Sequence, residues 1–176
     1  KDPKRILDTL LLKLLSEDYY IDRTTLNALD FGVPQYRKRV FIVGLRKDAF
    51  NVSDTIEPTM QDVRSMHFPW PTPKYPDAHT AIKWPEDIPF GTANVEKPEN
   101  IPFELCVQRC LEDAEDLPNG NEYFAFVKDA DKRLLINEGD TKRRSFKRLH
   151  RFRYSPTTCF GNNEVFLHPY KNRRLT

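Results

Sequence analysis

Long apolar runs and cysteines are scarce in this chain of 176 residues. The longest apolar stretch, from Ile6 to Leu15, is interrupted by polar residues and falls short of the ~18 residues of a membrane-spanning helix. The N-terminus has neither the apolar core nor the cleavage site of a secretory signal. Three cysteines, a small and odd number, argue against a disulfide framework. These absences exclude membrane-spanning and disulfide-stapled classes and favour a reducing compartment.

Methionine is also rare, at positions 60 and 66 alone, and the first residue is Lys1. The sequence is therefore expected to be cut from a longer polypeptide. The composition is otherwise typical of a globular protein, with 39% hydrophobic residues, 31% charged residues, 12 Phe and 7 Tyr.

The net charge of +2 hides a strong asymmetry. Residues 1–140 contain 18 basic and 25 acidic side chains, whereas residues 141–176 contain 10 basic and one acidic. Such a basic end predicts contact with a polyanion.

Apolar periodicity predicts a helix over Pro3–Ser16, with Asp2 as its N-cap. Tyr19–Ala28 is predicted to be a strand, and Val40–Leu45 a strand buried on both faces. Between them, Phe31–Pro34 is predicted to be a turn.

Ten of the 14 prolines lie between Pro58 and Pro118, so residues 66–100 are predicted to be mostly irregular and pinned by aromatic side chains. A second helix is predicted where Phe103, Cys106, Val107, Cys110 and Leu111 follow helical spacing. The remaining predicted elements are short strands at 123–127, 133–136, 151–154 and 165–167, with a hairpin turn at 129–131.

The cysteines and histidines form no metal-binding pattern, and no metal site is predicted. Cys106 and Cys110 are interpreted as core residues on one apolar face rather than as metal ligands. Cys159 lies beside the basic tail, where a nucleophile is conceivable but a structural role is favoured. His150 and His168 are interpreted as polar contacts near DNA or as structural residues.

The segment from Lys142 to Arg153 has seven basic and no acidic residues, interleaved with Phe146 and Phe152. It is either a solvated charged face or a surface that contacts phosphates, and the aromatic rings are expected to pack inward while the basic side chains face outward. The candidate phosphate contacts are Lys142, Arg143, Arg144, Lys147, Arg148, Arg151 and Arg153.

The most specific pattern runs from Leu26 to Gly44 and places a Gly-Val-Pro turn and a Gln-x-Arg-x-Arg run before a strand. Arg37 and Arg39 alternate at the strand start and are expected to point the same way. Two such guanidiniums form a fork for a phosphate or a carbonyl oxygen, or else are two solvated arginines.

This stretch, from Asn27-Ala28 through Gly44, resembles a motif of the cytosine-5 DNA methyltransferases. His168-Pro169 and Arg173–Thr176 resemble the entry to the family's next motif. In that family a variable target-recognition region separates the two motifs, and residues 48 to about 160 are expected to be that region.

The resemblance implies methyl transfer from S-adenosylmethionine to C5 of a cytosine flipped out of duplex DNA. It implies that Arg39 contacts the flipped cytosine and that Arg37 and Gln35 support the pocket. Thr157 and Thr158 resemble a turn of the recognition region that faces the target phosphate and sugar.

The chain also departs from the family pattern. No cysteine follows a proline, and there is no Glu-Asn-Val motif and no glycine-rich cofactor loop of the expected type. The catalytic Cys, the catalytic Glu and the S-adenosylmethionine site are therefore expected in the rest of the methyltransferase, its N-terminal catalytic part. This chain alone is expected to be inactive.

Base reading is expected from polar loop residues such as Asn162 and Asn163. The implied setting is the cytoplasm of a bacterium or archaeon, in a restriction-modification system. Two alternatives stay open: a non-catalytic DNA-binding subunit or module, and an unrelated basic domain that binds RNA or protein.

The expected fold class is α+β. Residues 1–46 are predicted to be the edge of an α/β catalytic sheet, and residues 47–176 a small, loop-rich target-recognition domain.

Overall fold

The computed structural model describes residues 3–59, 63–111, 130–158 and 166–175. It opens with the predicted helix, α1 (Pro3–Ser16), followed by β1 (Tyr19–Asn27) and β2 (Lys38–Arg46). Asp18 between α1 and β1 has a φ of 62°, which turns the chain sharply into the strand.

The chain folds into two compact units. The first unit comprises Lys1–Leu26 and Lys38–Thr72, and the second comprises Asn27–Arg37 and Pro73–Thr176. The two units do not follow the domain boundary predicted at residue 46. Residues 47–72 belong to the first unit, and residues 27–37 belong to the second. The functional assignment of residues 1–46 and 47–176 stays a prediction.

The core of the first unit lies between α1 and the sheet. Leu11 of α1, Ile21 of β1 and Val63 are buried together. The other face of α1 is open, since Ile6 and Leu10 are about half exposed. The partly buried side chains around this core are Leu7, Leu14, Leu15, Tyr19 and Ile42.

β1 and β2 pair as a two-stranded sheet. The Lys47 amide donates to the Asp18 carbonyl at 2.9 Å, and the Ala28 amide donates to the Arg37 carbonyl at 3.0 Å, so the strands run antiparallel. The prediction that β2 is buried on both faces is wrong for this chain. Its first four residues are exposed, because no second layer of the described residues covers them.

A proline-rich segment is fixed to β1 by one buried carboxylate. Asp22 is 2% exposed and accepts hydrogen bonds from the Phe68 amide and the Trp70 indole, both at 2.8 Å. The two aromatic rings meet edge to face at 4.8 Å. This arrangement agrees with the predicted irregular segment pinned by aromatic side chains.

The second unit is loop-rich and has two apolar clusters that share Ile82 and Trp84. One cluster is centred on Leu29, Ala78 and Leu105, and the other on Ile101, Cys106 and Phe152. Its elements are 3-10 helices at Ala28–Phe31, Phe103–Leu105 and Val107–Cys110, the helices α2 (Ala78–Ala81) and α3 (Ala130–Leu134), and a parallel pair of strands, β3 (Lys147–Arg148) and β4 (Phe166–Leu167).

The helix predicted over residues 103–111 is replaced by two 3-10 turns with an extended Cys106 between them. The Val107 and Gln108 amides donate to the carbonyls of Arg153 and Arg151 instead of to carbonyls within a helix. Cys106 is buried as predicted, but Cys110 is exposed, which corrects its placement on the same apolar face.

Two other strand predictions are wrong. Residues 133–136 form the end of α3 and a turn, and the carbonyls of Arg133 and Ile136 accept from the Arg148 guanidinium rather than from a strand. Residues 151–154 form a turn closed by the His150 ring and carbonyl. The strand at 123–127, Asp129 of the hairpin, Cys159, Asn162 and Asn163 lie outside the described residues, and β4 confirms the described part of the strand at 165–167.

The fold is thus a mixture of short helices and two-stranded sheets, as the α+β expectation stated. None of the helices in the described ranges is long and apolar enough to cross a membrane.

Candidate nucleic-acid interface

The loop between β1 and β2 is closed at its base by Asn27. The Asn27 side-chain oxygen accepts from the Arg37 amide at 3.0 Å, beside the backbone bond between Ala28 and Arg37. Gly32 ends the intervening 3-10 helix with a φ of 89°, a conformation that favours glycine. The Gly-Val-Pro-Gln pattern therefore folds as a short, hydrogen-bonded loop.

Asp30 anchors this loop to α2. Its carboxylate accepts from the Ala78 amide at 3.1 Å and from the Asn27 side chain at 3.3 Å, and its carbonyl accepts from the Tyr75 amide at 2.9 Å. Glu104 lies on the other side, with its carboxylate 3.8 Å from where a Gly32 side chain would begin. The loop is held by side chains from both directions.

The loop is joined to the end of the basic segment, more than a hundred residues later in the chain. The Tyr36 amide donates to the Ser155 carbonyl at 2.8 Å, and the Ser155 amide donates to the Pro34 carbonyl at 2.8 Å. The Thr157 hydroxyl donates to the Tyr36 carbonyl at 3.0 Å. We call these contacts between residues 34–36 and 155–157 the loop clamp. The loop clamp brings together Gln35 and Thr157, which the sequence analysis identified separately as candidate site residues.

Aromatic rings pack around the clamp. The Tyr36 ring lies 4.3 Å from the His79 ring and 6.0 Å from the Tyr154 ring. Tyr154 also meets Trp84 edge to face at 4.9 Å, and burial raises the pKa of its hydroxyl. His79 is exposed, so the rim of this cluster presents an imidazole to solvent. Sequence reasoning assigned no role to His79.

The side chains of the motif are accessible. Gln35 and Arg37 are half-buried, and no hydrogen bond or ion pair to their side chains is found within the described part of the chain. Arg39 is the second residue of β2 and is exposed, and its guanidinium donates to the neighbouring Lys38 carbonyl at 2.7 Å. Thr158, which follows the clamp, is exposed as well.

The basic segment has an outward part. Lys142, Arg143 and Arg144 are exposed and consecutive, and Lys147 is half-buried. Arg143 pairs with Asp140 at 3.5 Å. The role of these four side chains as phosphate contacts stays a prediction.

Arg148 does not. It is completely buried, and its guanidinium donates to the carbonyls of Ile136 at 2.8 Å and His168 at 2.7 Å. Its cationic carbon stands 3.9 Å from the centre of the Phe90 ring. Burial lowers the pKa of Arg148 to about 10, opposed by the nearby Glu138 carboxylate. The predicted phosphate contact therefore does not fit this placement, since the side chain is engaged in the interior.

Arg151 and Arg153 also turn inward. Arg151 pairs with the fully buried Glu138 at 2.7 Å, and Arg153 pairs with Asp87 at 2.7 Å. Gly139 makes room for the second pair, because a side chain there would meet the Asp87 carboxylate at 2.7 Å. The expectation that the basic side chains of 142–153 face outward is wrong for these two arginines. Their carboxylate partners, Glu138 and Asp87, both lie in the acidic part of the sequence before residue 141.

The two histidines and the cysteine considered in the sequence, His150, His168 and Cys106, are buried. Burial lowers the pKa of His150 to about 4 and that of His168 to about 3, so both imidazoles are neutral near pH 7. The His168 ring nitrogen accepts from the amides of Tyr170 and Lys171. Burial raises the pKa of the Cys106 thiol to about 11. Within the described residues, no three Cys, His, Asp or Glu side chains are grouped to hold a metal ion.

The whole sequence, residues 1–176, matches the family described as C-5 cytosine-specific DNA methylase. The chain belongs to this family. Among curated members, type II methyltransferase M.NmeDI of Neisseria meningitidis serogroup C is 34% identical over 175 residues, which cover 98% of this chain and 39% of that protein. Type II methyltransferase M1.ScrFI of Lactococcus lactis subsp. cremoris is 42% identical over 59 residues, 33% of this chain and 15% of that protein. The chain thus spans well under half of the length of these type II methyltransferases.

A solved E. coli structure, described as a proposed DNA modification methyltransferase encoded within a prophage, aligns with 93% of this chain and 49% of that chain. The identity is 21% and the TM-score 0.43, which is too low to support an argument about the site.

Proposed function

We propose that this chain is the DNA-recognition portion, with the edge of the catalytic domain, of a DNA (cytosine-5-)-methyltransferase of a restriction-modification system. The complete enzyme transfers a methyl group from S-adenosylmethionine to C5 of a cytosine flipped out of duplex DNA. The N-terminal catalytic part supplies the nucleophilic Cys and the Glu, and this chain alone does not methylate DNA.

The loop clamp is the observation that carries the proposal. It fixes the Gln35–Arg37 segment against Thr157 through backbone and hydroxyl hydrogen bonds, so the motif loop and the recognition region form one surface. A binding site needs such prior order, because side chains fixed before binding lose less entropy when DNA arrives.

We assign each accessible side chain of this surface a role in DNA binding. Arg39 contacts the flipped cytosine, while Gln35 and Arg37 support its pocket. Thr157 and Thr158 face the target phosphate and sugar. Phosphate contacts come from the outward basic side chains, Lys142, Arg143, Arg144 and Lys147.

We also propose that S-adenosylmethionine binds outside this chain, and two grooves of the described residues support this assignment. In the described part of the first unit, one groove is lined by charged residues such as Asp18 and Lys47, and another by residues such as Arg5 and Pro58. Neither lining contains a glycine. A glycine-rich turn at a strand end is the usual cradle for a nucleotide-like cofactor. The cofactor is therefore assigned to the N-terminal part.

The test is Arg39→Ala in the complete methyltransferase, with methyl transfer to plasmid DNA as the assay. We expect a loss of kcat of about 100-fold or more, as for other groups that stabilise a reacting centre. Arg46→Ala is the matched control, since Arg46 is another exposed arginine of β2, paired with Asp48. Equal activity of the two variants would contradict the role of Arg39.

The mass and peptide map of the native polypeptide test the single-chain assignment. A larger chain with a Pro-Cys peptide upstream supports it. A native product near 20.7 kDa that binds duplex DNA would favour the non-catalytic subunit instead.

A further inference from the structure

His79 combines exposure with a fixed position. Its ring lies 4.3 Å from the Tyr36 ring and 5.5 Å from the Tyr154 ring, at interplanar angles of 36° and 53°. Solvent-exposed imidazoles normally sample several rotamers, whereas this one is flanked by two half-buried rings. An exposed ring held in this way is suited to contact a partner.

The backbone below His79 is also ordered. Ala78 is 1% exposed, its amide donates to the Asp30 carboxylate, and its carbonyl accepts from the Trp84 indole at 3.2 Å. The residue before it, Asp77, adopts a left-handed conformation with a φ of 51°. Strained backbone persists where surrounding contacts fix it.

The location of the ring connects it to the loop clamp. Tyr36 contacts the His79 ring and also accepts the Thr157 hydroxyl at its carbonyl. Tyr36 therefore contacts both His79 and Thr157. The His79 ring nitrogens form no hydrogen bond within the described residues, so an N–H donor is available at this place.

We infer that His79 is a further DNA-contacting residue, whose imidazole N–H donates to a phosphate oxygen of the strand that carries the target cytosine. The inference rests on the proposed function and adds a contact that neither the motif nor the basic segment includes. A phosphate oxygen is the acceptor that fits, because phosphates line the strand continuously and accept from side chains that are fixed in place.

The test uses the complete methyltransferase and a duplex oligonucleotide containing its methylated site, mapped first by bisulfite sequencing of plasmid DNA methylated by the wild type. His79→Phe keeps a ring against Tyr36 and Tyr154 but removes the N–H donor, and His79→Gln keeps a donor. His67→Ala is the matched control, an exposed histidine of the first unit. Thermal unfolding of each variant is measured in parallel.

We expect His79→Phe to raise the Kd for the duplex and the KM about 5- to 10-fold, equivalent to the loss of one hydrogen bond. The kcat should change less than about 2-fold, and His79→Gln should recover part of the affinity. His67→Ala should bind like the wild type.

A methylphosphonate scan of the duplex identifies the phosphate. Replacing one phosphate oxygen by a methyl group at the contacted position should weaken the wild type but have little further effect on His79→Phe. An unchanged Kd in His79→Phe, or a loss that is equal at every methylphosphonate position, would overturn the inference. Failure of the wild type to methylate any DNA would instead refute the proposed function, so the two failures are distinguishable.

Discussion

The hydroxyl of Thr157 donates a hydrogen bond to the carbonyl oxygen of Tyr36 at 3.0 Å, between residues 121 positions apart in the sequence. This bond belongs to a short parallel bridge in which Gln35 and Ser155 are paired. Residues 34–36 and 155–157, which are distant along the chain, therefore share one hydrogen-bonded edge.

Thr157→Val tests whether the Thr157–Tyr36 hydrogen bond stabilises the loop clamp. The substitution removes the hydroxyl and leaves the half-buried Tyr36 carbonyl without this donor, so we expect the free energy of unfolding to fall by about 1 kcal/mol. Methyl transfer by the complete enzyme should fall more than stability alone explains, because Gln35 shifts with the loop. Urea unfolding and a single-turnover assay measure the two effects. Thr157→Ser keeps the hydroxyl and should behave like the wild type; if it is as impaired as Thr157→Val, the bond is not the cause.

Arg148→Met should act on stability. It keeps the length of the side chain but leaves the carbonyls of Ile136 and His168 buried without donors, which should cost about 3 kcal/mol or more. Arg144→Met, at an exposed position, should change stability by less than about 0.5 kcal/mol. Denaturant midpoints measure both. A small effect of Arg148→Met would show that these carbonyls do not depend on the guanidinium for stability.

The outward part of the basic segment should control salt dependence. Changing Lys142, Arg143 and Arg144 to Gln removes three charges, so the slope of log K against log salt for duplex DNA should become shallower by about 2.7. Fluorescence anisotropy from low to high salt gives this slope. The control changes Arg5, Lys13 and Lys83, all exposed, to Gln. Equal slopes for the two triple variants would show that only net charge matters.

Stability should depend on pH through His168 and His150. Their pKa values are lowered by burial to about 3 and about 4, so between pH 7 and 5 the unfolded state binds protons that the folded state does not. The free energy of unfolding should therefore decrease as pH falls below ~6.5, by up to about 1.4 kcal/mol per unit for each histidine.

His168→Asn isolates one of these contributions. Asn keeps an acceptor for the Tyr170 and Lys171 amides but does not titrate. Urea unfolding at pH 7, 6 and 5 should show a shallower slope for this variant. Identical slopes would mean that His168 titrates normally.

Local patterns predicted the first unit well. The helical spacing of Ile6 to Leu15 and the β-branched run of Val40 to Leu45 specify α1 and β2, because each follows the period of its own element. The exposure of Val40 and Phe41 could not be predicted, since apolar sequence shows what a strand needs to bury and not which neighbour is present.

The secondary structure and side-chain burial of the second unit could not be predicted from local patterns, because long-range contacts decide them. The helical spacing around Cys106 is overridden by backbone bonds to Arg151 and Arg153. Arg148 looked like its basic neighbours, and only the carbonyls converging on it reveal an interior role. His79 gave no signal in the sequence, because its ring partners come from two distant segments.

The loop clamp has a consequence for how freely the length of the chain between its two ends can vary. Pinning residues 34–36 to 155–157 makes the intervening chain a closed loop. The entropy of closing such a loop grows only logarithmically, by about 0.6 kcal/mol for each doubling of its length. Insertions and deletions between the two pinned ends are therefore expected to cost little at the loop clamp, so the length of the intervening chain can vary while residues 34–36 keep their place.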